Sequence, residues 1–529
     1  MNTIPLQKQT AFKYCTLLLM AVLMLFSSVK AQISVSGGNG LSATYTTFTT
    51  SGTGLFAALN ASSQAGQVIT VTVTGNVTEP ATGVALTGAA GMWDLLSISP
   101  SGGAARTISG ASTTDLFDFS GAQNVIIDGL NTGGNSLTIT NTTAGSASTI
   151  RFINDAKSIK IRNCTIAGSA NASQRAVVLF GTGVATGNDN IRISGCDIGA
   201  AGTNYPTNCV FSLGTSLAID NSSDTLDNNT IHDFYSNTLP SFGIHLNNTN
   251  VSSSSSWFVN SNKIYQTVSR TYATANTHQL IALGTGAGHV CSNNTLGFGS
   301  SNGTGLFTVT SGTGTTRFVG ISVTNSDLTG TPISVQGNTI SGFSITSANT
   351  NATTSPTFAG IHITAGNANI GTVTGNTIGA TTGTGSIAII TTASNGGAIG
   401  ILMASTGTVN ISNNNVGSIS VTSATATNAL GLYGIYGSAV SASLTVSNNT
   451  IGNSTASNMV AGTLGTTTGT TSVGGFIAGS VPTALTVNGN TIRNLISNSS
   501  GTSTFVRGIA SGTSGTTTSV NIYNNTVRD

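Results

Sequence analysis

Charge is scarce in this chain: Asp, Glu, Lys and Arg make up 6% of its 529 residues, against about 25% in an ordinary globular domain. A formal net charge of +2 provides no basic stripe for a phosphate backbone, so neither nucleic acid nor an anionic membrane is an expected partner. Glutamate occurs once, as Glu79 after Thr78, which excludes an HExxH zinc helix. Calcium-binding GGxGxD nonapeptides are missing too, and no metal or cofactor is expected. The apolar run from Thr16 to Phe26 falls short of the ~20 residues a membrane-spanning helix needs. With Lys8 and Lys13 before it and Val29-Lys-Ala31 after it, it reads as a secretory signal over residues 1–31. Its removal takes away Lys8, Lys13 and Lys30, brings the net charge near −1, and leaves no transmembrane segment. The expected location is secreted or cell-surface.

What the chain has instead is Gly, Ser, Thr and Asn arranged in a repeat. The same short phrase recurs eleven times, plainly in Ile411-Ser-Asn-Asn-Asn-Val416 and Val446-Ser-Asn-Asn-Thr-Ile451. Its second polar residue serves as an anchor: Cys164, Cys196, Asn229, Asn262, Asn294, Asn338, Asn376, Asn414, Asn449, Asn490 and Asn525. Steps of 32 to 44 residues mark a solenoid whose core is constant and whose loops vary. Two residues after each anchor stands Ile, Leu or Val; three before it, every copy is apolar; five before it, most are, as at Ile159, Trp257 and Val409. Such offsets describe two short strands with their apolar side chains on one side, joined at a bend. Asn or Gly precedes the anchor in ten copies and Ser261 in the other; Asn and Gly best tolerate left-handed backbone. The anchor asparagines are therefore expected to point inward as a stacked ladder, each amide bonded to the bend and to its neighbours. A further signature 14 to 19 residues before most anchors, as in Gly243-Ile-His-Leu246, Gly360-Ile-His-Ile363 and Gly400-Ile-Leu-Met403, predicts a third strand per coil.

Three short strands per repeat, stacked in register, make a parallel β-helix. On these residues the chain resembles the right-handed parallel β-helix repeat family of pectate lyases, polygalacturonases, phage tailspikes and large bacterial surface proteins. The resemblance covers roughly residues 105–529 and implies the right-handed sense. Residues 32–104 are expected to form an N-terminal cap and first strands, with helical spacing at Gly54-Leu-Phe-Ala-Ala-Leu59. The stop at Asn524-Asn-Thr-Val-Arg-Asp529, inside a repeat, predicts a solenoid incomplete at its C-terminus.

Function is less directly written. Cys164 and Cys196 replace the anchor in successive coils, about 4.8 Å apart, so they are candidates either for a disulfide or for stacked, buried free thiols. Charges crowd the coils from Arg151 to Asp233. Polysaccharide lyases and hydrolases of this fold use Asp pairs, or Asp with a basic residue, on an outward strand face. That resemblance would implicate Asp197, Asp227, Lys160, Arg162 and Arg192 in catalysis, although no local motif of those enzymes is present. The competing expectation is a patch that neutralises itself. His245 and His362 share an outward slot, but at three coils apart they stand about 14 Å from one another and cannot hold one metal. The favoured expectation is a non-enzymatic scaffold or adhesin presenting polar loops to surface glycans or proteins, with a polysaccharide lyase or glycoside hydrolase on residues 151–233 as the alternative.

Overall fold

The computed structural model describes residues 31–246, 253–311, 314–325, 328–512 and 518–528. Apart from Ala31, the segment read as a signal lies outside the described residues, as do Asp327 and Asp529. The described chain is a parallel β-helix. Three long sheets run its length, of 16, 14 and 12 strands in the described residues. Sheet 1 holds the strands before each anchor, such as Lys160–Arg162 and Thr408–Ser412. Sheet 2 holds those after it, such as Cys164–Ala170 and Asn415–Gly417. Sheet 3 holds the Gly-Ile strands, such as Phe242–Leu246 and Gly396–Met403. The register of the alignment is the register of the stack: Ile161 pairs with Ile193 and that with Leu226.

Bend and ladder follow from backbone chemistry. The residue before the anchor is left-handed in ten of the eleven copies, from Asn163 at φ 57° to Asn524 at φ 55°. From Asn229 to Asn525 each anchor Oδ1 accepts from the backbone N–H of the preceding anchor, as from Cys196 to Asn229 and Asn414 to Asn449, both at 2.9 Å. The anchor Nδ2 donates to the next anchor's Oδ1 and back to a strand carbonyl one coil below, as Asn262 does to Asn294 Oδ1 and Leu226 O. Asn229, Asn262, Asn338, Asn376, Asn414 and Asn449 are wholly buried, and Asn294 and Asn490 are 1% exposed. Toward the N-terminus the column turns apolar through Cys196 and Cys164 to Leu137. Both cysteines are free thiols in this structure. The Cys196 thiol beside it, together with burial, pushes the Cys164 thiol well above its usual pKa.

Two expectations need correction. At Asn376 the residue three before the anchor, Val373, is 85% exposed, and Ile370 occupies the core column. Here the bend is widened, Gly375 is not left-handed, and Gly371 turns the chain at φ 75°. Second, the longer steps in the C-terminal half are not loops alone. Among the described residues, a fourth, seven-stranded sheet begins at Arg270–Tyr272 and includes Phe307–Ser311, Phe343–Ser347 and Ile419–Ser423, so these coils have four strands. Their alternation buries Phe343 and Ile345 while Ser344 and Thr346 lie outward.

The Gly-Ile signature has a steric cause. A Cβ on Gly360 would lie 2.6 Å from Ile378 Cγ2, and one on Gly400 2.4 Å from Val416 Cγ1. The branched residue two after the anchor fills the space that each glycine leaves, bringing sheet 3 close to sheet 2. Because the following Ile is buried in the core as well, two consecutive residues face inward, and their flanking residues meet on the outer side.

At the N-terminal end Ile33–Ser36 runs antiparallel to Val68–Val73, and parallel stacking starts where Val68–Val73 meets Leu95–Pro100. The helix Leu55–Ala61 buries Leu55, Phe56 and Leu59 over the first aromatic layer, with Phe56 at 5.3 Å from Phe117. Glu79 ties this cap down. Its buried carboxylate accepts from the Phe48 and Thr49 N–H groups at 2.7 and 2.8 Å and from Thr49 Oγ1 at 2.6 Å. In the last described coil Val520, Ile522 and Val527 are about half exposed.

Candidate functional site

The charged coils are joined by stacking. Arg162 lies opposite Asp128 on the neighbouring strand and donates to it at 2.7 Å. Arg192 reaches Asp227 through two parallel bonds of 2.9 and 2.7 Å, a geometry that planar guanidinium favours. Arg151 bridges Asp115 and Asp118. Lys160 is in register with Arg192 and exposed. Of the five residues weighed for catalysis, Arg192 and Asp227 are thus one ion pair, Arg162 belongs to another, and Asp197 stands on sheet 2, across the bend from Asp227.

Asp197 belongs to a chain of charges that spans three successive coils. Its Oδ1 lies 2.9 Å from His232 Nε2, His232 Nδ1 lies 2.9 Å from Asp233 Oδ2, and Asp233 Oδ1 accepts from Arg270 Nη2 at 2.6 Å. Arg270, only 3% exposed at its side chain, also donates to Gln266 and lies 3.9 Å over the Tyr205 ring. Burial alone would discharge His232, but hydrogen bonds and charge from Asp197 and Asp233 outweigh it and raise its pKa to about 9. Asp233 is likewise disfavoured by burial, yet bonds from His232 and Thr267 lower it to about 2. An imidazolium that donates through both nitrogens has no free lone pair, so it is no general base near neutrality. Sequence spacing hid this network because Arg270 follows Asp233 by 37 residues.

The signs fix its pH dependence. His232, raised from 6.5 to about 9, contributes stability fully below 6.5 and loses it as pH rises through 9; Asp233, lowered from 3.8 to about 2, contributes above 3.8 and loses it as pH falls through 2. The difference in melting temperature between the wild type and His232→Gln should be largest from about pH 4 to pH 6.5 and shrink by pH 9.5. A difference independent of pH would contradict the ion network.

Concave surface lies elsewhere, on the outer side of sheet 3. The inward Gly-Ile pairs bring flanking aromatic residues together there, Phe242 with His245 at 3.8 Å and Tyr433 with Tyr436 at 5.0 Å between ring centroids. A groove of about 400 Å³ includes Asn208, Phe242, His245 and Gln279 in its walls, and grooves of about 310 and 250 Å³ flank Tyr433. No carboxylate lines any of the three among the described residues. Sequence reasoning set His245 and His362 in one slot, and sheet 3 does so, through Ala282 and Ser322; it did not foresee the aromatic pairing, which the pattern of an aromatic on each side of Gly-Ile could have revealed. Among the described residues no group of three or more His, Cys, Asp or Glu could hold a metal ion.

No protein-family model matches the chain, and no curated relative does. Solved structures match the chain at low similarity. The surface adhesin PfbA of Streptococcus pneumoniae is 10% identical with a TM-score of 0.30, covering 80% of this chain and 82% of its own. A tailspike mutant of Escherichia coli bacteriophage HK620, solved with a pentasaccharide, is 10% identical with a TM-score of 0.37, covering 83% of this chain and 71% of its own. Likeness at this level says nothing about ligand.

Proposed function

We propose that the chain is an exported, non-enzymatic β-solenoid scaffold or adhesin that presents strand faces and polar loops to surface glycans or proteins. The observation that carries this reading is a separation. Among the described residues the grooves are lined by rings, amides, hydroxyls and, in the third, the Arg507 guanidinium, without a carboxylate, while Asp128, Asp197, Asp227 and Asp233 are engaged by Arg162, His232, Arg192 and Arg270. Glycoside hydrolysis needs two carboxylates flanking one scissile bond, and the alternative enzyme would have to release Asp197 or Asp227 from its partner. Shallow grooves repeated along one face suit multivalent attachment, in which weak contacts add through effective concentration. Export through the segment at residues 1–31 belongs to the same proposal and fits the low charge.

Incubation of the mature protein with acidic and neutral polysaccharides, scoring retention and new reducing or unsaturated ends, tests it. Retention without cleavage is expected, and the double change Asp197→Asn with Asp227→Asn should leave retention within a few fold. Cleavage that disappears in the double variant would overturn the scaffold, since loss of a general acid or base costs about 10² to 10⁴ in rate.

A further inference from the structure

The asparagine ladder begins at Asn229, and in the two coils before it thiols stand in the same column. The strands on both sides of these anchors are in register, Arg162 with Ser194 before them and Thr165 with Asp197 after them. Cys164 and Cys196 therefore face one another at one strand spacing, about 4.8 Å, within the Cα separation that a disulfide spans. Cys196 Sγ points toward the other coil: it reaches Ile161 O at 3.7 Å, the route that Asn229 Nδ2 takes to Ile193 O. Cys164 Sγ lies 3.2 Å from Arg162 O in the facing bend. A hydrogen bond with the Cys196 thiol is the first cause of the raised Cys164 pKa, ahead of burial, so the two sulfur atoms are within reach of one another. The other described cysteines stand outside this column. Cys209 is in sheet 3 with its thiol 3.5 Å from His232 O, and Cys291 lies three coils beyond Cys196, about 14 Å along the axis.

We infer that Cys164 and Cys196 are the site of an inter-coil disulfide, made by thiol–disulfide exchange with an oxidoreductase of the exporting compartment. For its oxidant the inference rests on the export proposed above. One chain thiolate attacks the disulfide of the carrier and a carrier sulfur leaves; the second chain thiolate then attacks the chain sulfur of the mixed disulfide and releases the other carrier sulfur. One S–S bond breaks in the carrier as one forms in the chain. Two electrons pass to the carrier, which leaves as a dithiol with the two protons that the cysteines gave up. At 1% and 2% exposure, and with the Cys164 thiol held protonated, neither sulfur meets a carrier in the finished coil, so exchange precedes closure of the bend. Each coil of a solenoid is held by its neighbours, and the bond joins two coils where the side-chain ladder stops. Closing a loop over the 32-residue step also restricts the unfolded chain.

Peptide mapping without reductant tests the site. The mature chain is directed to a bacterial periplasm by the host's own leader, so that the outcome does not hang on residues 1–31, and is denatured in the presence of an alkylating reagent. The Cys164 and Cys196 peptides should be recovered joined and should separate on reduction, with Cys209 and Cys291 alkylated. Cys196→Ala should leave Cys164 alkylated like the other two. Alkylation of all four cysteines in the wild type would overturn the disulfide in favour of stacked free thiols, leaving the scaffold intact. Recovery of Cys164 joined to Cys209 or Cys291 would overturn both the pairing and the coil register. Export is read separately, from whether the full chain with its own residues 1–31 leaves the cytoplasm; its retention there would overturn the export reading and, with it, the source of the oxidant, while the map still decides the pairing.

Discussion

Asn414→Leu should destabilise the solenoid by about 2–5 kcal/mol, because it strands several buried groups at once. Asn414 Oδ1 accepts from Asn376 N and Asn376 Nδ2 at 3.0 and 2.9 Å, and Asn414 Nδ2 donates to Ile370 O and Ser412 O at 3.0 Å each and to Asn449 Oδ1 at 3.0 Å. Leucine keeps the branching at Cγ but answers none of these bonds, and no water can reach a wholly buried site. Substitution of the exposed loop residue Thr382→Leu should change stability by no more than about 0.5 kcal/mol. Thermal melting of the two variants compares them directly. Equal shifts would mean that the asparagine column is no ladder, whatever its spacing.

The second large effect distinguishes two neighbours that alignment of the repeats confuses. Ile370→Ala should cost about 2–5 kcal/mol, the usual loss for an aliphatic side chain removed from a packed core, whereas Val373→Ala should be near neutral. Ile370 is fully buried and pairs with Val335 and Ile411 in the stack; Val373 is 85% exposed. Chemical denaturation of both variants checks the claim. A larger loss at Val373 would restore the unbroken spacing of the repeat and refute the widened bend.

That pair of residues shows where sequence reasoning stops. Ten of eleven bends have the left-handed residue where the Asn, Gly or Ser stands, since a local backbone need writes itself into a local residue choice. The coil at Asn376 breaks the spacing by moving the core residue back to Ile370, and Val373 is apolar without being buried. The fourth sheet escaped for a related reason. Strands such as Phe343–Ser347 alternate properly, but their Ser/Thr-rich flanks read as loop, and only pairing with Phe307–Ser311 and Ile387–Thr391 shows them as strands.

The charged residues show the same limit with chemistry at stake. Lys160, Arg162, Arg192, Asp197 and Asp227 share a stretch of sequence, and proximity along the chain suggested one site. Stacking divides them: Arg192 with Asp227, Arg162 with Asp128, and Asp197 with His232. The ring pair at Phe242 and His245, and the amides at Asn208 and Gln279, had no common motif because they come from three coils.

By itself the sequence determined the solenoid, its coil register and the asparagine ladder, since each depends on alternation and on turn residues that act within a few positions and recur in every coil. Only the tertiary structure decided which cation neutralises which carboxylate, how many strands a coil holds, and where a groove opens. Those outcomes depend on contacts between residues some 30 to 40 positions apart, whose separation varies with each loop, so no fixed spacing records them.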